Sequence, residues 1–332
     1  MEFAVYEPVK GARLAEVSDF LKENGIAFDE GAILTVVALD DDGRVVASGS
    51  LERNVLKCIA VSPARQSEGL AAAIVGTLVS KAVAAGNRRL FIFTKPANRA
   101  LFMGLGFYPV AETQHVLLLE NERGGVRAFV ESLLPSVTGG VQGGVVVNCN
   151  PFTNGHLFLL RQASLQCETL HVFVLSEDQS AFTAKDRFAL VRAGAACLPN
   201  VRVHPTGDYM VSAATFPVYF HKDQSQAVQF NCELDLKIFA ECFARPMHIT
   251  RRFVGEEPYC RVTKRYNEQM KRILPAYGID VVEFPRYTCG GEAISASKVR
   301  EYLALRQFDR IRPLVPETTF DFLMRTYGDN RR

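Results

Sequence analysis

The stretch Gly144-Val-Val-Val-Asn-Cys-Asn-Pro-Phe-Thr-Asn-Gly-His156 reads as strand, tight turn and helix start. Val145 to Asn148 opens on three β-branched residues without polar alternation, as in a strand covered on both faces. Thr153 stands where an N-cap is needed. Gly155 lets a ligand come close to the backbone. His156 then falls in the first helical turn, beside free N–H groups and the positive end of the helix dipole, which together suit a phosphate. A capped helix carrying an exposed histidine fits these few residues about as well. Position decides between the two readings.

Further along, short apolar runs at Leu170 to Leu175, Val201 to His204, His248 to Val254 and Val281 to Phe284 predict more strands. Helical patterns separate them: one begins at Thr183, one spans Thr263 to Leu274, and one spans Ser297 to Phe308. Strands alternating with helices predict a doubly wound α/β domain with a parallel sheet. Such sheets bind ligands at the carboxyl ends of their strands, which is where the Thr153–His156 turn falls.

A second chemical stretch, Ile294-Ser295-Ala296-Ser297-Lys298-Val299-Arg300, opens the last long helix. Val299, Tyr302, Leu303 and Phe308 fall on its core-facing side. Ser295 and Ser297 bring hydroxyls to the helix entry. Arg300 is a cation near the positive end of a dipole, so an anion should offset it, and a guanidinium fits phosphate oxygens well. Alone, this stretch is better explained by a serine cap followed by a surface arginine.

The chain has 332 residues, 48% hydrophobic and 22% charged, with a net charge of +2. That is enough for two domains with real cores, and too little charge to draw the chain to nucleic acid or to an anionic membrane. The Gly-rich stretch Thr138 to Gly144 marks the boundary region. The expected division is 1–125, a linker at 126–142 holding a short helix at Val126 to Leu134, and 143–332. The eight cysteines are scattered without a C-x-x-C pair, which excludes a clustered zinc site and fits reduced thiols in the cytoplasm. Met1 to Lys10 lacks a signal-peptide core and no apolar run reaches spanning length. In the first part, strands are expected at Ile33 to Leu39, Val45 to Leu51, Leu56 to Val61, Arg89 to Thr94 and Val116 to Glu120, the first two joined by a turn at Asp41 to Arg44. Ala71 to Ala85 is expected to be a helix.

The two stretches together resemble the nucleotidyltransferase superfamily. Asn148 to His156, Gly207 to Pro217, Arg252-Phe-Val-Gly-Glu-Glu-Pro258 and Val282-Glu-Phe-Pro-Arg286 are similar to the citrate lyase ligase family. That resemblance spans nearly all of residues 143–316. It implies activation of acetate with ATP and Mg2+, then acetylation of a thiol on the acyl carrier subunit of citrate lyase. It implies that His156, Thr153 and Arg300 are catalytic. It implies that ATP is held by Asn148, Asn150, Phe152, Thr153, Gly155, His156, Gly255, Ser295, Ser297 and Arg300. A cofactor-synthesising adenylyltransferase would use the same nucleotide motifs and is the competing expectation.

In the front part, Gln66-Ser-Glu-Gly69-Leu-Ala71 follows a strand and enters a helix. It resembles the pyrophosphate-binding motif of the GCN5-related acetyltransferases, and Asn98 to Phe107 resembles a later motif of that family. The resemblance implies an α+β domain in which Gln66, Gly69 and Ala71 hold a coenzyme-A-like arm. Phe102 stands where that family usually has a proton-donating tyrosine, so the front part is expected to bind such an arm, or to serve as scaffold, without transferring acetyl groups itself.

Overall fold

The computed structural model describes residues 1–178, 180–212, 227–257, 260–290 and 292–328. Residues 213–217 of the Gly207 motif and Pro258 lie outside this set. The chain divides into two units, Met1–Gly125 and Val126–Arg332.

The first unit contains β1 (Glu2–Tyr6), α1 (Gly11–Glu23), β2 (Leu34–Leu39), β3 (Val45–Glu52), β4 (Val55–Val61), α2 (Leu70–Ala84), β5 (Phe91–Thr94), α3 (Arg99–Gly104), β6 (Tyr108–Glu112) and β7 (Leu117–Glu120). They form a seven-stranded sheet in the order β1-β2-β3-β4-β5-β7-β6. The β2–β3 turn forms because Asp40 Oδ1 accepts the N–H groups of Asp42 and Arg44 at 3.0 and 2.9 Å. Ile74, Val75 and Leu78 of α2 pack on one face of the sheet, and Val17, Phe20 and Leu21 of α1 on the other. β1, α1 and β6 were not expected from the sequence. β1 and β6 are edge strands with much of their surface exposed, and Pro109 interrupts the pattern of β6. β4 and β5 run parallel for only two residue pairs, Val55 with Phe91 and Leu56 with Ile92. Beyond those pairs the ladder ends, and a cleft lies next to β4.

The second unit contains α4 (Gly125–Glu131), β8 (Gln142–Val147), α5 (Asn154–Ser164), β9 (Thr169–Val174), α6 (Ala184–Gly194), β10 (Val201–Pro205), α7 (Ala227–Ile238), β11 (Ile249–Gly255), α8 (Arg261–Ile273), β12 (Asp280–Phe284), α9 (Ala296–Ala304), α10 (Phe308–Ile311) and α11 (Glu317–Leu323). α4 takes its first residue from the end of the first unit. The five strands form one sheet, β10-β9-β8-β11-β12, and every pairing is parallel. The first strand, β8, is central. The chain winds outward through β9 and β10, then returns past β8 to β11 and β12. The switch point is therefore between β8 and β11, where a parallel sheet leaves a crevice.

β8 begins earlier than the sequence suggested. Gly143 and Gly144 belong to the strand and not to a loop. A Cβ on Gly143 would sit 2.6 Å from Phe253 and 2.9 Å from Cys167 Sγ, and one on Gly144 would sit 3.2 Å from Ile249. These glycines serve close packing across the sheet. Gln142, expected as the end of a linker, is wholly buried. Its Nε2 donates to the carbonyls of Thr138, Gly139 and Gly140 at 2.9, 3.2 and 3.2 Å. Its Oε1 accepts from His171 Nε2 at 3.0 Å, which leaves His171 Nδ1 unprotonated to accept from His204 Nε2 at 3.0 Å. The stretch expected as a linker is thus hydrogen-bonded to the sheet at its end.

Burial pushes both histidines down to about 4, with neighbouring positive charge adding to it. A folded-state pKa below the ordinary value of about 6.5 means that the unfolded chain takes up protons first. The pair's stabilisation is therefore complete above about pH 6.5 and is lost as pH falls toward 4. His204→Gln is expected to lower the urea midpoint at pH 7.5. The gap from the parent chain should narrow steadily by pH 5. A gap that stays constant over that range would mean the histidines titrate at ordinary values.

Candidate active site

The crevice at the switch point is a cavity of about 350 Å³. Its floor is the turn after β8. Thr153 caps α5: its Oγ1 accepts the His156 N–H at 3.4 Å, and its own N–H donates to His156 Nδ1 at 3.0 Å. This is a capping box with histidine in the position usually held by Glu or Gln. Because Nδ1 accepts, the ring proton is on Nε2. No partner for Nε2 is found among the described residues, and His156 lines the cavity. Burial, reinforced by the charge of Arg286, lowers the His156 pKa to about 4. At neutral pH His156 is an uncharged N–H donor facing the crevice.

Arg300 closes the opposite side. Its Nη1 donates to the Asn150 carbonyl at 2.5 Å and its Nη2 to Ser297 Oγ at 2.9 Å. Ser295 caps α9, accepting the Ser297 N–H at 3.2 Å. Residues 150 positions apart are thereby brought to one wall. Burial lowers the guanidinium pKa, and no carboxylate among the described residues pairs with it. The anion expected to offset this cation is therefore not a side chain among the described residues.

The remaining predicted residues divide by role. Asn148, Asn150, Gly155 and Gly255 line the cavity. The amides of the two asparagines are already engaged. Asn148 exchanges hydrogen bonds with Ser180 and accepts from Arg187 Nη1 at 2.7 Å, while Asn150 Oδ1 accepts the Phe182 N–H at 3.1 Å. They shape the loop. A Cβ on Gly155 would meet only ordinary contacts at 3.6 Å, and one on Gly255 would meet nothing. The protein's own packing does not require glycine at either position, which leaves room for a ligand against the backbone. Phe152 does not belong to the wall. It is fully buried, it stacks behind the His156 ring at 5.8 Å, and a side chain on Gly194 would collide with it. Its ring packs against the imidazole and does not face the crevice where it was expected to help hold ATP.

Residues 142–323 match the model of the citrate lyase ligase C-terminal domain. The citrate (pro-3S)-lyase ligase of Klebsiella pneumoniae is 39% identical over 318 residues, covering 94% of this chain and 93% of that one. The chain belongs to the citrate lyase ligase family. It is accordingly an enzyme, a ligase. The Escherichia coli K12 ligase of the same name is 38% identical over 327 residues, 96% of this chain and 93% of its own length. A phosphopantetheine adenylyltransferase of Staphylococcus carnosus is 33% identical over only 64 residues, 19% of this chain and 40% of that one. The family match covers the whole crevice, and the adenylyltransferase match covers a fraction of the chain.

Residues 7–107 match the acetyltransferase (GNAT) family model. Here Gln66, Gly69 and Ala71 line a second cleft of about 520 Å³ beside β4. Gly69 holds the left-handed conformation at φ 76 that opens α2. Phe102 also reaches this cleft, 2% exposed and packed into the core.

Two arginines of this ligase were not singled out from the sequence. Arg187 of α6 is wholly buried, and its guanidinium donates to Asn148 Oδ1 and to the carbonyls of Asn148, Leu175, Glu177 and Phe182. It ties together the loops after β8 and β9. Arg286, after β12, lines the crevice together with Glu257. Arg187 is one charged residue among many with no motif to mark it, and Arg286 closes the quoted Val282–Arg286 stretch without a role being read from it.

Among the described residues, no helix is long and apolar enough to cross a membrane.

Proposed function

We propose that this ligase condenses acetate with ATP in the β8–β11 crevice and passes the acetyl group to a thiol on the acyl carrier subunit of citrate lyase, in the cytoplasm. The carrying observation is Arg300, a partly buried cation without a carboxylate partner among the described residues, set beside two helix starts and the uncharged His156 donor. In the first step a carboxylate oxygen of acetate bonds to the α-phosphorus of ATP. The α-phosphorus to bridging-oxygen bond breaks and pyrophosphate leaves with the electron pair. The chain supplies position and charge, not a covalent nucleophile. His156 Nε2–H and the N–H groups of α5 face the phosphates, and Ser295, Ser297 and Arg300 face the leaving end. No three His, Cys, Asp or Glu side chains converge among the described residues. Mg2+ would enter on the nucleotide's phosphate oxygens, where it supplies charge neutralisation. In the second step the thiolate bonds to the acetyl carbon and AMP leaves. ATP–pyrophosphate exchange that depends on acetate tests the first step. Exchange supported by phosphopantetheine or nicotinate mononucleotide instead would mark an adenylyltransferase.

The cleft beside β4 is assigned to the carrier's coenzyme-A-like arm, held by the N–H groups around Gln66, Gly69 and Ala71. A β-branched residue at φ 76 is strained, so Gly69→Val should collapse this loop. Carrier acetylation is expected to fall at least about tenfold, the scale of a lost charge-assisted contact, while exchange without carrier is unchanged. Parallel loss of both would indicate general misfolding, and loss of neither would leave the front unit as scaffold.

A further inference from the structure

The crevice contains a second cation, and it is already holding a carboxylate. Arg286 Nη2 lies 2.7 Å from Glu257 Oε2, and its Nε donates to the Glu256 carbonyl at 3.2 Å. The other oxygen of Glu257 accepts the Cys260 N–H at 3.1 Å. The pair is partly covered, with the two side chains 25% and 14% exposed, and both line the cavity. The arginine's charge reaches His156 across the crevice, where it adds to the lowering of the imidazole pKa.

The proposed reaction, on which this inference rests, must bring two anions together. A carboxylate will not approach a triphosphate unless each is matched by its own cation. Arg300 sits at the entry of α9, bound to Ser297 and to the turn preceding α5, where helix N–H groups already favour phosphate. Arg286 comes from a different element, the loop after β12, and belongs to neither helix start. Its planar fork is matched by a carboxylate, and a carboxylate now occupies it. Beside it Tyr287 stacks on Phe158 at 5.0 Å, a flat apolar surface on which a short acyl chain can lie.

We propose that Arg286 determines acid specificity: it binds the carboxylate of a short monocarboxylic acid for attack on the α-phosphorus, and Glu257 is an internal carboxylate that the incoming acid displaces. Glu257 holds the guanidinium in position until the acid takes its place. When the acid arrives, one carboxylate exchanges for another and the net charge at Arg286 is conserved.

The test is steady-state ATP–pyrophosphate exchange by the full-length chain, with acetate and ATP varied separately. Arg286→Gln is expected to raise KM for acetate by roughly 10- to 100-fold, the range for a lost charge-assisted hydrogen bond, with KM for ATP within about twofold. Arg286→Lys should recover part of that loss, because it keeps the charge without the fork. Glu257→Gln should lower KM for acetate by weakening the competitor. A raised KM for ATP with acetate unmoved would hand Arg286 to the triphosphate and overturn the assignment. A fall in kcat and thermal midpoint with both KM values unmoved would reduce the ion pair to a structural one and overturn it equally. Absence of acetate-dependent exchange in the parent chain would overturn the underlying reading itself, which distinguishes the two failures.

Discussion

Replacing His156 with alanine is expected to lower acetate-dependent pyrophosphate exchange by roughly two orders of magnitude or more, the scale for removing one preorganised donor at developing transition-state charge. Nδ1 is committed to the Thr153 N–H, so Nε2 carries the proton. With its pKa held near 4 by burial, the ring is neutral throughout the working range, and exchange should show no inflection near pH 6.5 from this residue. Alanine also removes one arm of the capping box, a loss of about 1 kcal/mol in stability. His156→Glu separates the two effects. Glutamate is the usual partner at this position of a capping box, so it should restore the thermal midpoint. It presents an anion to the phosphates, so its rate should be no better than alanine's. Near-normal exchange by a folded alanine variant would remove His156 from the mechanism.

Arg300→Ala should weaken ATP and pyrophosphate binding by about 10- to 100-fold while AMP binding changes by only a few-fold, since its proposed partners are the outer phosphates. The same arginine donates to the Asn150 carbonyl, so part of any loss will come through the loop. Comparison of the two nucleotides separates these contributions. A loosened loop weakens ATP and AMP alike, whereas a missing cation weakens only the nucleotide that carries the extra phosphates. Titration of the folded variant with both ligands by calorimetry reads the difference directly, and equal losses would make Arg300 a structural tie.

The central sheet was readable because its strands are short and rich in β-branched and apolar residues, wholly so at Val145 to Val147 and broken only by His171 in Leu170 to Val174. The site was readable where caps and glycines leave a local signature, at Thr153, Gly155 and Ser295. Composition misled at Gly143 and Gly144. A glycine serving a turn and one serving close contact with Phe253 look the same in sequence, and only the packed neighbour tells them apart. The burial of the Phe152 ring behind His156 was illegible for a similar reason, since adjacency to a motif says nothing about which side of the turn a ring occupies. Arg187 and Arg286 depend wholly on tertiary partners, four carbonyls and an amide oxygen for one, and Glu257 for the other. β1 and β6 lie at sheet edges, where exposure removes the hydrophobic pattern that marks a strand.

The hydrogen bond from Arg300 to Asn150 joins a residue made early in the second unit to one made near its end. During synthesis on the ribosome, β12 is complete at Phe284 before α9, starting at Ala296, has been translated. A growing chain can therefore assemble all five strands while still lacking the wall proposed to engage a triphosphate. Until α9 docks, Phe182 also lacks the covering it receives from Val299, Ile311 and Leu323. A polypeptide interrupted in this interval exposes an apolar surface for chaperones and proteases to recognise. The tie from Arg300 to the Asn150 loop and the burial of that surface are thus acquired in the same late event.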